Sequence, residues 1–501
     1  MSKTVKIVIA VVIGVLLICG IGGAAAYYFT KNTPKNTYLL SEQETAKQMK
    51  AYGEDRFENE FEFQDKMKDE SYLINLNASA DVPEALLKSS DIPKSVADAS
   101  KLGFKLGHDP DKEHSVIALT PTVADNEIGE FQWAADKQNQ YYAAPILDDV
   151  YKAKNNELVD VYKKITGETS SVEGTNNGIT NDSLNLNSLL SGTQISQDNI
   201  DEISKKYSEV ITDKLDDDNF EKDDVTIKVN GEDKDVKKVT MNVSKGETKA
   251  ILTDILEKAK KDKDIKAIAE DQFNAKDYKK QLDDILKEVK DTDKAEFPSV
   301  KSVIWEDDNQ ILKRNLTMKD EDGSTVKLNG TSQVDDDNLM IDYKLTTDDD
   351  QEVALKGKST KKDDQYKDNY KVTFDNGYRK SDATLTNTES QDGDKRNDKG
   401  QIEINANYDK TTIDFNNKLD TDTKNNTQKQ ELSLSTDIDN ETVVINIKGD
   451  TKLKEDIKFK KANAQDLNTM SDSDFRKLQR EISNNTEDIV KDIAKDIKDK
   501  K

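Results

Sequence analysis

Residues 338–374 read NLMIDYKLTTDDDQEVALKGKSTKKDDQYKDNYKVTF. Leu339, Ile341, Tyr343 and Leu345 alternate with polar residues, Val353 and Leu355 do so again after TTDDDQ, and Tyr370, Val372 and Phe374 follow after KKDDQ. Successive side chains on a strand point to opposite faces. The period of two therefore predicts strands with one apolar and one wet face, joined by Asp-rich hairpin turns. The texture continues on both sides: Leu312 and Leu316, then Val326 and Leu328, stand before it. Ile402 and Ile404, Ile413 and Phe415, Leu432 and Leu434, and Val443, Ile445 and Ile447 stand after it. Residues 299–460 are read as an antiparallel meander, the arrangement in which one sheet face can stay solvated.

A one-faced sheet needs a cover, and the sequence offers helical patterns on either side. Ile200, Ile203, Tyr207, Val210, Ile211 and Leu215 recur at spacings of three and four, and Ser244 with Glu247 has the form of a capping box opening a helix through Ile251 and Ile255. Phe475, Leu478, Ile482, Ile489 and Ile493 predict a C-terminal helix. The expected fold class is α+β: a large antiparallel β-meander sheet packed against amphipathic helices, preceded by one N-terminal transmembrane helix.

That transmembrane segment is IVIAVVIGVLLICGIGGAAAYYF, residues 7–29, uncharged and long enough to cross a hydrocarbon core of about 30 Å. Lys3 and Lys6 precede it and Tyr27, Tyr28 and Phe29 close it as an aromatic anchor, which orients the amino terminus inside and the body outside. Ala24–Ala26 leaves open a signal peptide cleaved after Ala26. Cys19 is the only cysteine, so the body carries no disulfide and no thiolate chemistry. Around the anchor the expected organisation is a cytoplasmic stub at 1–6 and a tether at 30–38. An N-terminal α+β region at 39–167 then leads to a linker or loop at 168–183. A mainly helical region at 184–298 with a β-hairpin, the meander at 299–460 and a C-terminal helix at 461–501 complete the chain.

Of 501 residues, 34% are hydrophobic and 35% charged, with 100 acidic against 75 basic, a formal charge of −25. Phosphate backbones repel such a chain, which excludes nucleic acid as an expected partner. The anchor, the TYLLSEQET start at residues 37–45, the QYYAAPILDDVYK stretch at 140–152 and the acidic meander resemble an uncharacterised family of membrane-anchored extracytoplasmic proteins of Gram-positive bacteria (Firmicutes). The resemblance implies a location and an architecture, with no activity. A large antiparallel sheet with helices on one face is also similar, in architecture alone, to the lipoprotein-carrier fold of lipid-binding proteins.

Few constellations point to chemistry. His108 and His114 in GHDPDKEH suit a transition metal, and Asp392, Asp394, Asp398 and Glu403 fall at positions one, three, seven and twelve of a calcium loop. Arg396 stands at a ligand position and Asn397 at the glycine position, so polar hairpin turns are the favoured reading of both. No metal and no cofactor is expected. Trp133, Tyr141 and Tyr142 are read as strand packing in preference to a carbohydrate platform. The functional expectation is a non-enzymatic, membrane-anchored protein that binds a lipid or other hydrophobic ligand in a groove between sheet and helices. Leu339, Ile341, Tyr343, Val372, Phe374, Ile404 and Phe415 are its candidate lining. An envelope scaffold with a protein partner and a carboxylate-dependent hydrolase are the alternatives.

Overall fold

The computed structural model describes residues 33–88, 92–166, 179–191, 197–229, 231–273, 278–406 and 409–499. They group into two compact units. The first comprises the chain up to Glu58 with Ile195–Glu389 and Gln401–Thr411; the second comprises Asn59–Gln194, Ser390–Gly400 and Thr412–Lys501. The predicted anchor at 7–29 lies outside the described residues, as does most of the expected linker at 168–183.

The first unit opens with helix α1 (Pro34–Arg56), whose N-terminus is set by Thr33: its hydroxyl accepts from the Asn36 amide at 3.2 Å while Pro34 occupies the first turn. Its strands pair with their chain neighbours, antiparallel throughout, from Phe220–Val229 to Gln365–Asp375. Among the described residues, helices interrupt the run of strands between Val243 and Ser299. The first of these, Lys245–Ala259, begins at the predicted capping box, with Ser244 Oγ accepting from Glu247 N at 3.3 Å and Glu247 Oε2 accepting from Ser244 N at 2.7 Å. The main core lies at this end of the sheet. Tyr38 and Leu39 of α1, with Tyr207, Ile251 and Ile255, close over Val239, Met241, Val300, Ile304 and Leu316.

In the second unit the strand Tyr72–Asp81 is central. It pairs on one side with Lys101–Asp109 and on the other with Glu441–Leu453, which joins strands far apart in sequence. Beyond Lys101–Asp109 the sheet continues through His114–Val123, Phe131–Ala135, Asn139–Ala143 and Tyr151–Lys154. Tyr151–Lys154 then pairs with Gln465–Asp466 in parallel.

The expected fold class is corrected on two points. The sheet is mixed, because of that parallel pair. The helices between 197 and 291 gather over Phe220–Met318, and of the helices only α1 is seen to reach further along the meander among the described residues, so that Leu345, Val353, Leu355, Val372 and Phe374 keep an exposed face. The C-terminal helix Asp472–Asp499, expected to cover the meander, packs through Phe475 and Leu478 against Tyr151, Leu158 and Val161. The physical reason is supply, since strands that spend one residue in two on Lys, Asp, Asn and Thr offer too little apolar area to hold a helix. No helix among the described residues is long and apolar enough to cross a membrane, and the expected span at 7–29 lies outside them. Ile146, Leu147, Val150 and Tyr151 have helical spacing after Pro145, yet they do not form a helix. Tyr151 and Ala153 are buried in alternation on a strand, and the helix starts only at Leu158.

Candidate functional site

Five side chains of α1 spaced as one helical face, Tyr38, Glu42, Thr45, Tyr52 and Arg56, seat the helix on the first unit's sheet through polar contacts. Tyr38 donates to Ser302 Oγ at 2.7 Å, and Thr45 Oγ1 accepts from the Ile311 amide at 2.8 Å. Glu42 and Arg314 form a buried two-point ion pair, with Nη1 to Oε1 at 2.7 Å. Tyr52 donates to Ser359 Oγ at 2.7 Å.

Arg56 ends the series by donating to both Asp368 oxygens, at 2.9 and 2.7 Å, and to Glu389 Oε2 at 2.6 Å, with the Tyr366 ring 4.3 Å from its guanidinium. All three charged groups are buried. Burial works against the Arg56 charge, yet its hydrogen bonds to Asp368 and Glu389 raise its pKa above the ordinary value. Burial likewise works against ionised Asp368. The hydrogen bonds from Arg56 and Ser359 outweigh it, and the carboxyl titrates below its usual range.

Strand register decides what lies beside α1 on this face. Tyr343, Leu355 and Val372 face one another in a cross-strand row, and Leu345, Val353 and Phe374 form the next. Leu345, Val353, Leu355, Val372 and Phe374 are between 36% and 52% exposed, so two adjacent rows of large apolar side chains meet solvent. Nearer α1 the face is filled. Tyr343 occupies the space over Gly330 and Tyr370 that over Gly357, where a Cβ would collide with each ring, and Leu339 packs against Tyr52, Val334 and Tyr366. Burial above all, then the Asp368 charge, pushes the Tyr370 hydroxyl up to about 12.

Of the residues singled out in the sequence, Leu339, Ile341, Tyr343, Val372 and Phe374 share this face by strand alternation. Ile404 belongs to the first unit on the strand Lys395–Ala406 and is exposed, while Phe415 belongs to the second unit, opposite Leu434. The sequence reading missed the polar face of α1. Its signal was the spacing of Tyr38, Glu42, Thr45, Tyr52 and Arg56, obscured because a search for apolar periodicity ignores charged residues.

The metal candidates do not assemble. Among the described residues no group of three or more His, Cys, Asp or Glu side chains could hold an ion. His108 is buried against Tyr72, with Nδ1 2.8 Å from Ser115 Oγ, and that hydroxyl donates to Asn187 at 2.5 Å, so it is no free nucleophile. His114 packs edge-on against Phe459. Asp392 ends a strand at a turn through Gly393, Asp394 lends its carbonyl to the Thr421 amide, and Arg396 is clamped by Glu60 at 3.0 and 3.1 Å. Trp133 donates to Gln140 at 2.9 Å and Tyr141 to Asp136 at 2.8 Å, which ties both into the second unit's sheet.

No family model and no curated protein matches the chain. Among solved structures it is similar to an outer membrane protein of Vibrio cholerae, OmpT lacking loop L8, at 8% identity over 76% of this chain and 97% of that one, with a TM-score of 0.20. OccAB4 of Acinetobacter baumannii follows at 6% identity, 78% and 99% coverage and a TM-score of 0.22. A BenF-like porin from Pseudomonas fluorescens stands at 9% identity, 77% and 98% coverage and 0.22. Superpositions this poor carry no argument about fold or function.

Proposed function

We propose that the chain is a membrane-attached, cell-surface-exposed protein that binds an apolar ligand, a lipid acyl chain in the first instance, on the open face of the first unit's sheet. The observation that supports it is the pair of exposed rows, Leu345–Val353–Phe374 and Leu355–Val372. Fully burying one exposed large apolar side chain is worth about 1.5–3 kcal/mol, so leaving five of them a third to a half exposed in a chain with so lean an apolar supply forgoes part of that gain, which a ligand would supply. Helix α1, pinned by Arg56 and Glu42, bounds the face on one side and gives it a fixed wall. Attachment through residues 7–29 rests on their uninterrupted apolar sequence. The test is where a photoactivatable fatty acid attaches to the full chain.

A further inference from the structure

We infer that the opposite face of the same sheet carries a binding site for a multiply charged, phosphate-type anion. Because Arg314, Ser359 and Asp368 point to α1, their neighbours Lys313, Lys358 and Asn369 point away from it. On that far side Lys313, Thr331, Asp342, Lys356 and Lys371 lie opposite one another in turn across five strands. Gln333, Met340, Lys358 and Asn369 make the adjoining row. The tip of the strand Phe220–Val229 brings Ile227, Lys228 and Val229 over these rows, and together they enclose a cavity of about 580 Å³. That falls within the range of about 300–1,000 Å³ in which small ligands are held.

The charge of the cavity runs against that of the chain. Its lining has five lysines (Lys228, Lys313, Lys356, Lys358, Lys371) and one acid, Asp342, in a protein of formal charge −25. Three of the lysines have acidic partners: Lys356 with Asp342 at 2.9 Å, Lys371 with Asp382 at 3.1 Å and Lys228 with Asp233 at 2.9 Å. Lys313 lies 4.8 Å from the centre of the Trp305 ring, and Lys358 has no ion pair among the described residues.

Lys356 and Lys371 face each other directly across two strands, a like-charge pairing that costs stability. An anion lodged between them reverses the sign of the interaction. Lysine ammoniums bind phosphate as point charges, and the apolar side chains of Ile227, Val229, Leu312 and Met340 stand among them in the lining. A soluble phosphate compound and a phospholipid headgroup share this chemistry.

Trp305, beside Lys313, provides the readout once Trp133, the only other tryptophan, is replaced by Phe. The full chain is held in phosphatidylcholine nanodiscs and titrated separately with inorganic pyrophosphate and with vesicles containing phosphatidylglycerol. A saturable change in Trp305 emission is expected, with the Kd at least tenfold weaker in Lys356→Gln/Lys358→Gln and unchanged in Lys491→Gln, an exposed lysine of the C-terminal helix. Response to pyrophosphate supports the site with a soluble ligand, and response to phosphatidylglycerol alone supports it with a lipid headgroup. The inference is overturned by no saturable response to either, or by a response that the lysine substitutions leave intact while the circular dichroism spectrum shows them folded.

Discussion

The ring of Tyr370 fills the space over Gly357, its direct cross-strand partner, and no side chain larger than hydrogen fits beneath it. Tyr343 stands over Gly330 in the same way one strand pair earlier. These two contacts floor the sheet between the buried network at Arg56 and the exposed rows at Val372 and Phe374. Gly357→Ala is therefore expected to lower stability by about 1–3 kcal/mol, the cost of overpacking a filled site. Gly246→Ala, inside a helix with nothing nearer than 3.9 Å, is expected to leave stability unchanged or raise it. Thermal melts of the two variants check the contrast.

Arg56, Asp368 and Glu389 are expected to behave as one unit. Arg56→Met leaves two buried carboxylates without their cation and should cost about 3–5 kcal/mol. Adding Asp368→Asn and Glu389→Gln should recover a large part of that loss, since the stranded charges go with the cation. Urea denaturation followed in all variants decides it, and strictly additive losses would contradict the network.

The pH dependence in the second unit centres on His108. Its burial, set against a smaller opposing influence from Asp109, holds the imidazole pKa below its ordinary value. The unfolded chain takes up this proton near pH 6.5, the folded chain only at lower pH. Stability present above pH 6.5 is thus lost as pH falls through the folded-state pKa. Melting temperatures between pH 8 and pH 5 should fall less steeply in His108→Gln than in the parent chain.

Membrane attachment has a simple expected outcome. Deleting residues 7–29 should move the chain from the membrane pellet to the supernatant after alkaline carbonate extraction. A deleted chain that stays in the pellet would put the attachment elsewhere.

The strands of the meander were legible because Leu339, Ile341, Tyr343, Val372 and Phe374 keep a strict period of two, and the Ser244–Glu247 cap because both partners are local. Two kinds of feature were hidden. Tyr151 fits a helical spacing with Leu147 and Leu158, and pairing with Tyr142 on one side and with Gln465, over 300 residues on, on the other makes it a strand. The seat of α1 depends on Arg314, Ser359, Asp368 and Glu389, polar residues whose burial no local pattern announces. The lysine cavity is hidden for the same reason, since Lys228 and Lys356 meet only when the sheet is assembled.

The central claim is the apolar binding face, and photolabelling tests it most directly. The full chain in native membranes is exposed to a diazirine-bearing fatty acid, irradiated and digested, and the labelled peptides are mapped by mass spectrometry. Label is expected on peptides spanning Leu339–Phe374, competed by unlabelled fatty acid and lost in Val372→Asp/Phe374→Asp. Label confined to residues 7–29, or label on Leu339–Phe374 that survives both the competitor and the substitutions, would contradict it.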